Sequence, residues 1–175
     1  MDDNGFLYIS DNEKSEVRRW RVGDTKGVVV AGGNGKGYRL DQLNGPFNIF
    51  VDRDHTVYVA DEWNYRVVKW AKGAKTGIVV AGGRGQGNSP AQLNCPQGVV
   101  VDQLGTVYVS DWGNHRIVRW PKGASYGSVL MGGKGEGEKP NQLNYPWGLS
   151  FDRHGNIYVA EQFNHRVQRF DIDRA

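Results

Sequence analysis

Gly105-Thr106-Val107-Tyr108-Val109-Ser110-Asp111-Trp112-Gly113-Asn114-His115-Arg116-Ile117-Val118-Arg119-Trp120 is the stretch that decides the fold. It contains two short β-rich runs, Thr106 to Ser110 and Arg116 to Trp120, broken at Trp112-Gly113-Asn114, which is turn chemistry. The same pattern returns fifty residues away on either side. Tyr8, Tyr58, Tyr108 and Tyr158 fall in one column, and Trp20, Trp70, Trp120 and Phe170 in another.

Working outward, the unit gains a run before this hairpin, Gly98 to Val101, and one after it, Ser128 to Met131. We name the four runs strands a, b, c and d. Asp102-Gln103-Leu104-Gly105, Pro121-Lys122-Gly123 and the long Gly-rich Gly132 to Pro146 separate them. The fifty-residue shift also aligns Gly32-Gly33 with Gly82-Gly83 and Gly132-Gly133, and Leu43-Asn44 with Leu93-Asn94 and Leu143-Asn144. Pro46 aligns with Pro96 and Pro146. Periods of this length mark solenoids or propellers, and long helical periodicity is absent. Four short antiparallel strands per unit describe a β-propeller blade. Val57-Tyr58-Val59-Ala60 is apolar on both faces, as a sheet sandwiched between two neighbours must be. The Tyr and Trp columns are expected to fill the space between blades.

The expected fold is all-β, a single propeller segment over 1–175. Met1-Asp2 aligns with Val51-Asp52, so 1–45 holds strands b to d of blade 1. Blades 2 and 3 occupy 46–95 and 96–145, and 146–175 holds strands a to c of blade 4. A blade lacking a strand forfeits about five ladder hydrogen bonds at about 1 kcal/mol net each. That is large beside the roughly 5–15 kcal/mol that stabilises a domain. Exposed strand edges also invite pairing. Further blades or self-association are therefore expected to complete the ring.

Composition narrows the functional classes. The 25 glycines and 6 prolines suit many turns. A net charge of +3 falls short of the dense basic runs of a nucleic-acid-binding arm. Cys95 is the only cysteine, which excludes an internal disulfide and a Cys-rich zinc module. No apolar run of about 18 residues is present, so no membrane segment is expected. Met1-Asp2-Asp3-Asn4-Gly5 does not have the form of a signal peptide.

Asp61-x-x-Asn64-x-Arg66 recurs as Asp111-x-x-Asn114-x-Arg116 and as Glu161-x-x-Asn164-x-Arg166. Because the motif repeats with the blade, it reads as structural, with Asn in the turn and Arg pairing with the acid across the b to c hairpin. Blade 1 departs from it. Lys14, Ser15 and Glu16 stand behind Asp11, so this hairpin is expected to be looser or specialised. No metal site is expected from the histidines: His55 and His154 fall in a to b turns, while His115 and His165 fall in b to c loops on the opposite face. A catalytic zinc site needs three convergent ligands. Gly82-Gly83-Arg84-Gly85-Gln86-Gly87 precedes no helix and so is not a phosphate cradle. Neither Ser10 and Ser110 nor Cys95 forms a nucleophile motif, and no cofactor is expected. The large side chains of the b to c loops, Trp63, Tyr65, Trp112, His115, Phe163 and His165, differ between blades while the framework stays constant. Variable aromatics on a constant frame are candidate partner-binding residues.

Pro96 to Asp102, Gly105 to Asp111 and Asn114 to Trp120 together resemble the NHL repeat. Asn164-His165-Arg166-Val167 repeats the signature segment, and Asn64-Tyr65-Arg66-Val67 is a looser copy. The resemblance implies a six-bladed ring. It also implies recognition of a protein or peptide, as in the propellers that end RING-type ubiquitin ligases. Two other functions occur among related propellers: single-stranded RNA binding, and lyase or lactonase catalysis with a metal in the central channel. The expectation is a non-catalytic binding scaffold.

Overall fold

A computed structural model of the chain describes residues 4–172. Among them are fourteen strands in four antiparallel sheets. Blade 1 is β1 (Phe6–Asp11), β2 (Glu16–Arg21) and β3 (Val28–Gly32). Blade 2 is β4 (Pro46–Val51), β5 (Val57–Asp61), β6 (Arg66–Trp70) and β7 (Ile78–Gly82). Blade 3 is β8 (Pro96–Val101), β9 (Val107–Asp111), β10 (Arg116–Trp120) and β11 (Ser128–Gly132). Blade 4 is β12 (Pro146–Phe151), β13 (Ile157–Glu161) and β14 (Arg166–Phe170). Blades 2 and 3 have four strands and blades 1 and 4 have three, each paired in sequence order.

The register repeats along with the sequence. Asp61 stands opposite Arg66, Asp111 opposite Arg116 and Glu161 opposite Arg166 at the head of each b to c hairpin. In blades 2 and 3 this hairpin closes through a single 3-10 turn, Glu62–Asn64 or Trp112–Asn114, which ends on a left-handed residue, Tyr65 or His115. At the end of β7, Gly82 takes φ +67°, and a β-carbon there would collide with the Tyr65 carbonyl oxygen. Only glycine lets strand d turn away so close to the preceding hairpin.

Packing between sheets builds the core, and it explains why the strands are apolar on both faces. Tyr58, Ala60, Val67, Ala81 and Leu93 of blade 2 and its following loop meet Val99, Val101, Val107, Val109, Val118 and Trp120 of blade 3. The other face of blade 2, with Val57, Val59, Val68 and Trp70, covers Val17, Ala31 and Leu43 from blade 1 and the loop after it. Blade 3 meets blade 4 in the same way through Tyr108, Ile117, Met131 and Leu143 against Ile157 and Val159. Each fully buried Val, Leu or Ile contributes about 1.5–3 kcal/mol. The Tyr column thus sits on the forward face of one blade and the Trp column on the rear face of the next.

The sheets do not close into a ring. Leu7 and Ile9 on the rear face of blade 1 are exposed, and Val167 on the forward face of blade 4 is 64 % exposed. Val67, the same column inside the array, is 0 % exposed. Among the described residues, no helix is long and apolar enough to cross a membrane.

Candidate functional site

The b to c hairpins and the long d to a loops share one face of the array, because the hairpins of blades 2, 3 and 4 are each bonded to the loop that precedes them. Asp61 accepts the Asn44 backbone N–H at 2.7 Å on one oxygen; on the other it accepts Asn64 at 2.8 Å and Arg66 Nε at 2.7 Å. Arg66 also donates to the carbonyls of Tyr38, Arg39 and Gln42, and Asn64 to that of Gly37. Blade 3 repeats the arrangement with Asp111, Asn114 and Arg116 bonded to Asn94, Gly87, Asn88, Ser89 and Gln92. In blade 4, Glu161, Asn164 and Arg166 do the same to Asn144 and to Gly137, Glu138, Lys139 and Gln142. The Asn side chain also reaches out of the hairpin to the preceding loop. The acid oxygens and guanidinium nitrogens of the motif are all bonded to backbone groups or to their partners.

In blade 1 the hairpin is tied differently. Lys14 Nζ pairs with Asp11 at 3.0 Å, and Glu16 accepts Arg18 Nε at 2.5 Å. Strands β1 and β2 nevertheless remain in full register, Asp11 opposite Glu16.

The structure brings three of the six loop side chains together through a fourth ring that sequence reasoning missed. Tyr145 lies 4.3 Å from Trp112, 4.4 Å from His115 and 4.9 Å from Phe163, centroid to centroid. Trp112 Nε1 donates to Gln162 at 3.1 Å, which bridges blades 3 and 4. Burial pushes the His115 imidazole towards the neutral form, and its Nδ1 accepts the Tyr145 N–H at 3.3 Å. Trp63 stands apart on blade 2 and covers Gly45, where a β-carbon would strike its ring. Tyr65 and His165 hold left-handed backbone at φ 52° and 49° and stand outside the Tyr145 cluster.

Nearer the axis, where the inner strands line a cavity of about 380 Å³, the first side chains of strands a form a second group. Phe47 and Trp147 meet edge to face at 5.0 Å, and Gln97 donates to Glu62 Oε1 at 3.0 Å. Phe47, Gln97 and Trp147 share one column directly after the constant Pro46, Pro96 and Pro146. Their variation was the signal that could have found them.

The opposite face carries a cleft of about 1190 Å³ between blades 2 and 3, lined by Asp52, Arg53, Lys69, Asp102 and Lys122 among others. Asp52 and Asp102 are committed to their own turns, accepting the backbone N–H groups of Asp54 and Thr56 and of Leu104 and Thr106. His55 and His154 are in a to b turns on this side. Among the described residues no three His, Cys, Asp or Glu side chains converge in a metal-holding group. Burial raises the Cys95 thiol, reinforced by Glu62 and Asp111, so it is held in the protonated form.

The NHL repeat family matches residues 93–120 and 143–170, the d to a loop end through strand c of blades 3 and 4. The chain carries NHL repeats. Solved structures agree on the fold of this NHL array. A Bacteroides thetaiotaomicron structural genomics protein of unknown function is 19 % identical with a TM-score of 0.75, and the alignment covers 94 % of this chain and 44 % of that one. An auxiliary nutrient binding protein from the same organism is 16 % identical, TM-score 0.71, covering 95 % and 45 %. Virginiamycin B lyase from Staphylococcus aureus is 15 % identical, TM-score 0.60, covering 98 % and 53 %. The chain therefore spans about half the length of the solved structures it matches. Among curated proteins there is no match.

Proposed function

We propose that these NHL blades form a non-catalytic recognition module that docks a protein or peptide on the face carrying the b to c loops. The observation that carries the reading is the Trp112–Tyr145–His115–Phe163 cluster, built only from positions that vary while the frame stays constant. Aromatic anchors on a rigid scaffold are favoured at interfaces because they offer large area for little conformational entropy. The repeated acid, amide and guanidinium groups hold loops together, and the lone thiol is protonated. Further blades, six in all by resemblance, or a second copy complete the ring, and the module serves a larger protein such as a ubiquitin ligase.

Replacing Trp63, Trp112 and Phe163 together by alanine is expected to abolish capture of protein partners while the melting transition stays cooperative. Unchanged capture by the triple variant overturns the assignment of this face. If the retained ligand is instead RNA, affinity falls steeply with salt.

A further inference from the structure

Blade 1 differs from its neighbours along the inner edge of strand b. β5, β9 and β13 each have a strand a on one side and a strand c on the other. Among the described residues β1 pairs with β2 alone, so the backbone groups along its other edge meet no strand. Edges of this kind are templates for pairing with a further extended segment.

One serine decides what the edge selects. In blade 3, Ser110 is 0 % exposed and stands opposite Gly98 of β8. Its Oγ accepts the Gly98 N–H at 2.5 Å and donates to the Trp147 carbonyl of the next blade at 2.8 Å. A β-carbon on Gly98 would lie 2.5 Å from both oxygens, so only glycine fits there. Ser10 makes half of this arrangement. Its Oγ donates to the Phe47 carbonyl of the next blade at 2.6 Å, and among the described residues no N–H reaches it. Blades 2 and 4 show that the demand comes from the serine. Where β5 carries Ala60 in the serine column, β4 carries Asn48 in the glycine column. In blade 4, a β-carbon on Gly148 would meet only the Ala160 methyl, at 4.0 Å.

A second requirement falls two residues later. Phe50 and Val100 stand opposite Tyr58 and Tyr108 and pack into the core shared with the next blade. In blade 1 the corresponding place is opposite Tyr8, which packs against Val17, Val57 and Val59. An apolar side chain belongs there as well.

We propose that the inner edge of β1 takes up an extended segment of a partner polypeptide as an antiparallel strand a, with glycine opposite Ser10 and an apolar residue opposite Tyr8. The strands of this type within residues 4–172, β4, β8 and β12, are each held in their own blades, so the occupant comes from elsewhere. Main-chain ladder bonds supply the affinity, and the Ser10 hydroxyl, accepting the glycine N–H, supplies the selectivity. The proposal is independent of the aromatic docking face.

The test uses the whole chain and a fluorescein-labelled, capped heptapeptide, Pro-Gln-Gly-Val-Val-Val-Asp, which copies residues 96–102. Anisotropy compares it with the same peptide carrying alanine in third place. Wild type is expected to bind the glycine peptide saturably and the alanine peptide about tenfold or more weakly, through the lost N–H bond and the clash. Ser10→Ala is expected to bind the two peptides within about twofold of each other, with its melting transition still cooperative. Lysine in fifth place should abolish binding to both chains. Hydrogen exchange on adding the glycine peptide should slow at the β1 amides. No binding by folded wild type, equal binding of the glycine and alanine peptides, or a preference that survives in Ser10→Ala overturns the proposal. A stable dimer in sedimentation that excludes the peptide gives the edge to a second copy and overturns the partner strand.

Discussion

The hairpins of blades 1 and 3 are built on the same register yet held by opposite charges. Blade 3 buries Asp111 and Arg116 and spends the guanidinium on three carbonyls of the loop before it. Blade 1 places Glu16 in the arginine column, turns it onto its own strand neighbour Arg18 and leaves the buried Ser15 hydroxyl without a partner. A guanidinium in that column is thus a clasp between one blade and the loop leading into it, and the hairpin itself does not need it.

The widest gap between the two hairpins is expected on removing the charge. Arg116→Ala strands a carboxylate that is 0 % exposed and should cost about 3–5 kcal/mol in urea unfolding, with weaker protection of the 87–92 loop amides in hydrogen exchange. Glu16→Ala leaves Arg18 its bond to the Gly27 carbonyl and should cost about 1 kcal/mol. Equal losses would break the clasp argument.

Next in size comes the tryptophan column. Trp120 is sealed between blades 2 and 3, and Trp120→Ala should cost about 3–5 kcal/mol. Trp20 holds the same position on the open rear face of blade 1, and Trp20→Ala should cost less than half of that. Should blade 1 be covered in solution by another blade or a second copy, the two values converge, so this pair of melts also reads out ring closure.

The smallest effect is a slope with pH. Burial raises the Glu62 carboxyl above its ordinary 4.5 in the folded chain, against the opposing bond from Gln97. A carboxyl raised on folding binds its proton more tightly in the native state, so stability falls as pH climbs from the ordinary value through the folded one. Melts of wild type minus Glu62→Gln should show this decline just above pH 4.5 and then level off. A flat difference would mean that a cation already neutralises Glu62.

Much of this was legible in the chain. The fifty-residue columns located the strands, and two-sided apolar runs such as Val57 to Ala60 implied sheets covered on both faces. Boundaries shifted by one or two residues: β8 begins at Pro96, β9 runs Val107–Asp111 one residue later than expected, and β11 runs on to Gly132. The site was less legible. Trp112, His115 and Phe163 were visible as variable aromatics, but Tyr145, which joins them, sits in a column shared with Gly45 and Cys95 and reads as a connection. Glu62 and Gln97 are 35 residues apart in different blades, and no local pattern links them.

What the sequence determined by itself is the repeating part: period, strand alternation and turn glycines are short-range constraints, restated in every blade and therefore readable from any one of them. Only the tertiary structure decided the rest. It turned the repeated acid, amide and arginine into a clasp between blades, and it set an acid from one blade against an amide from the next. Contacts between non-identical residues of neighbouring blades depend on how the sheets stack, and stacking geometry is written in no single repeat.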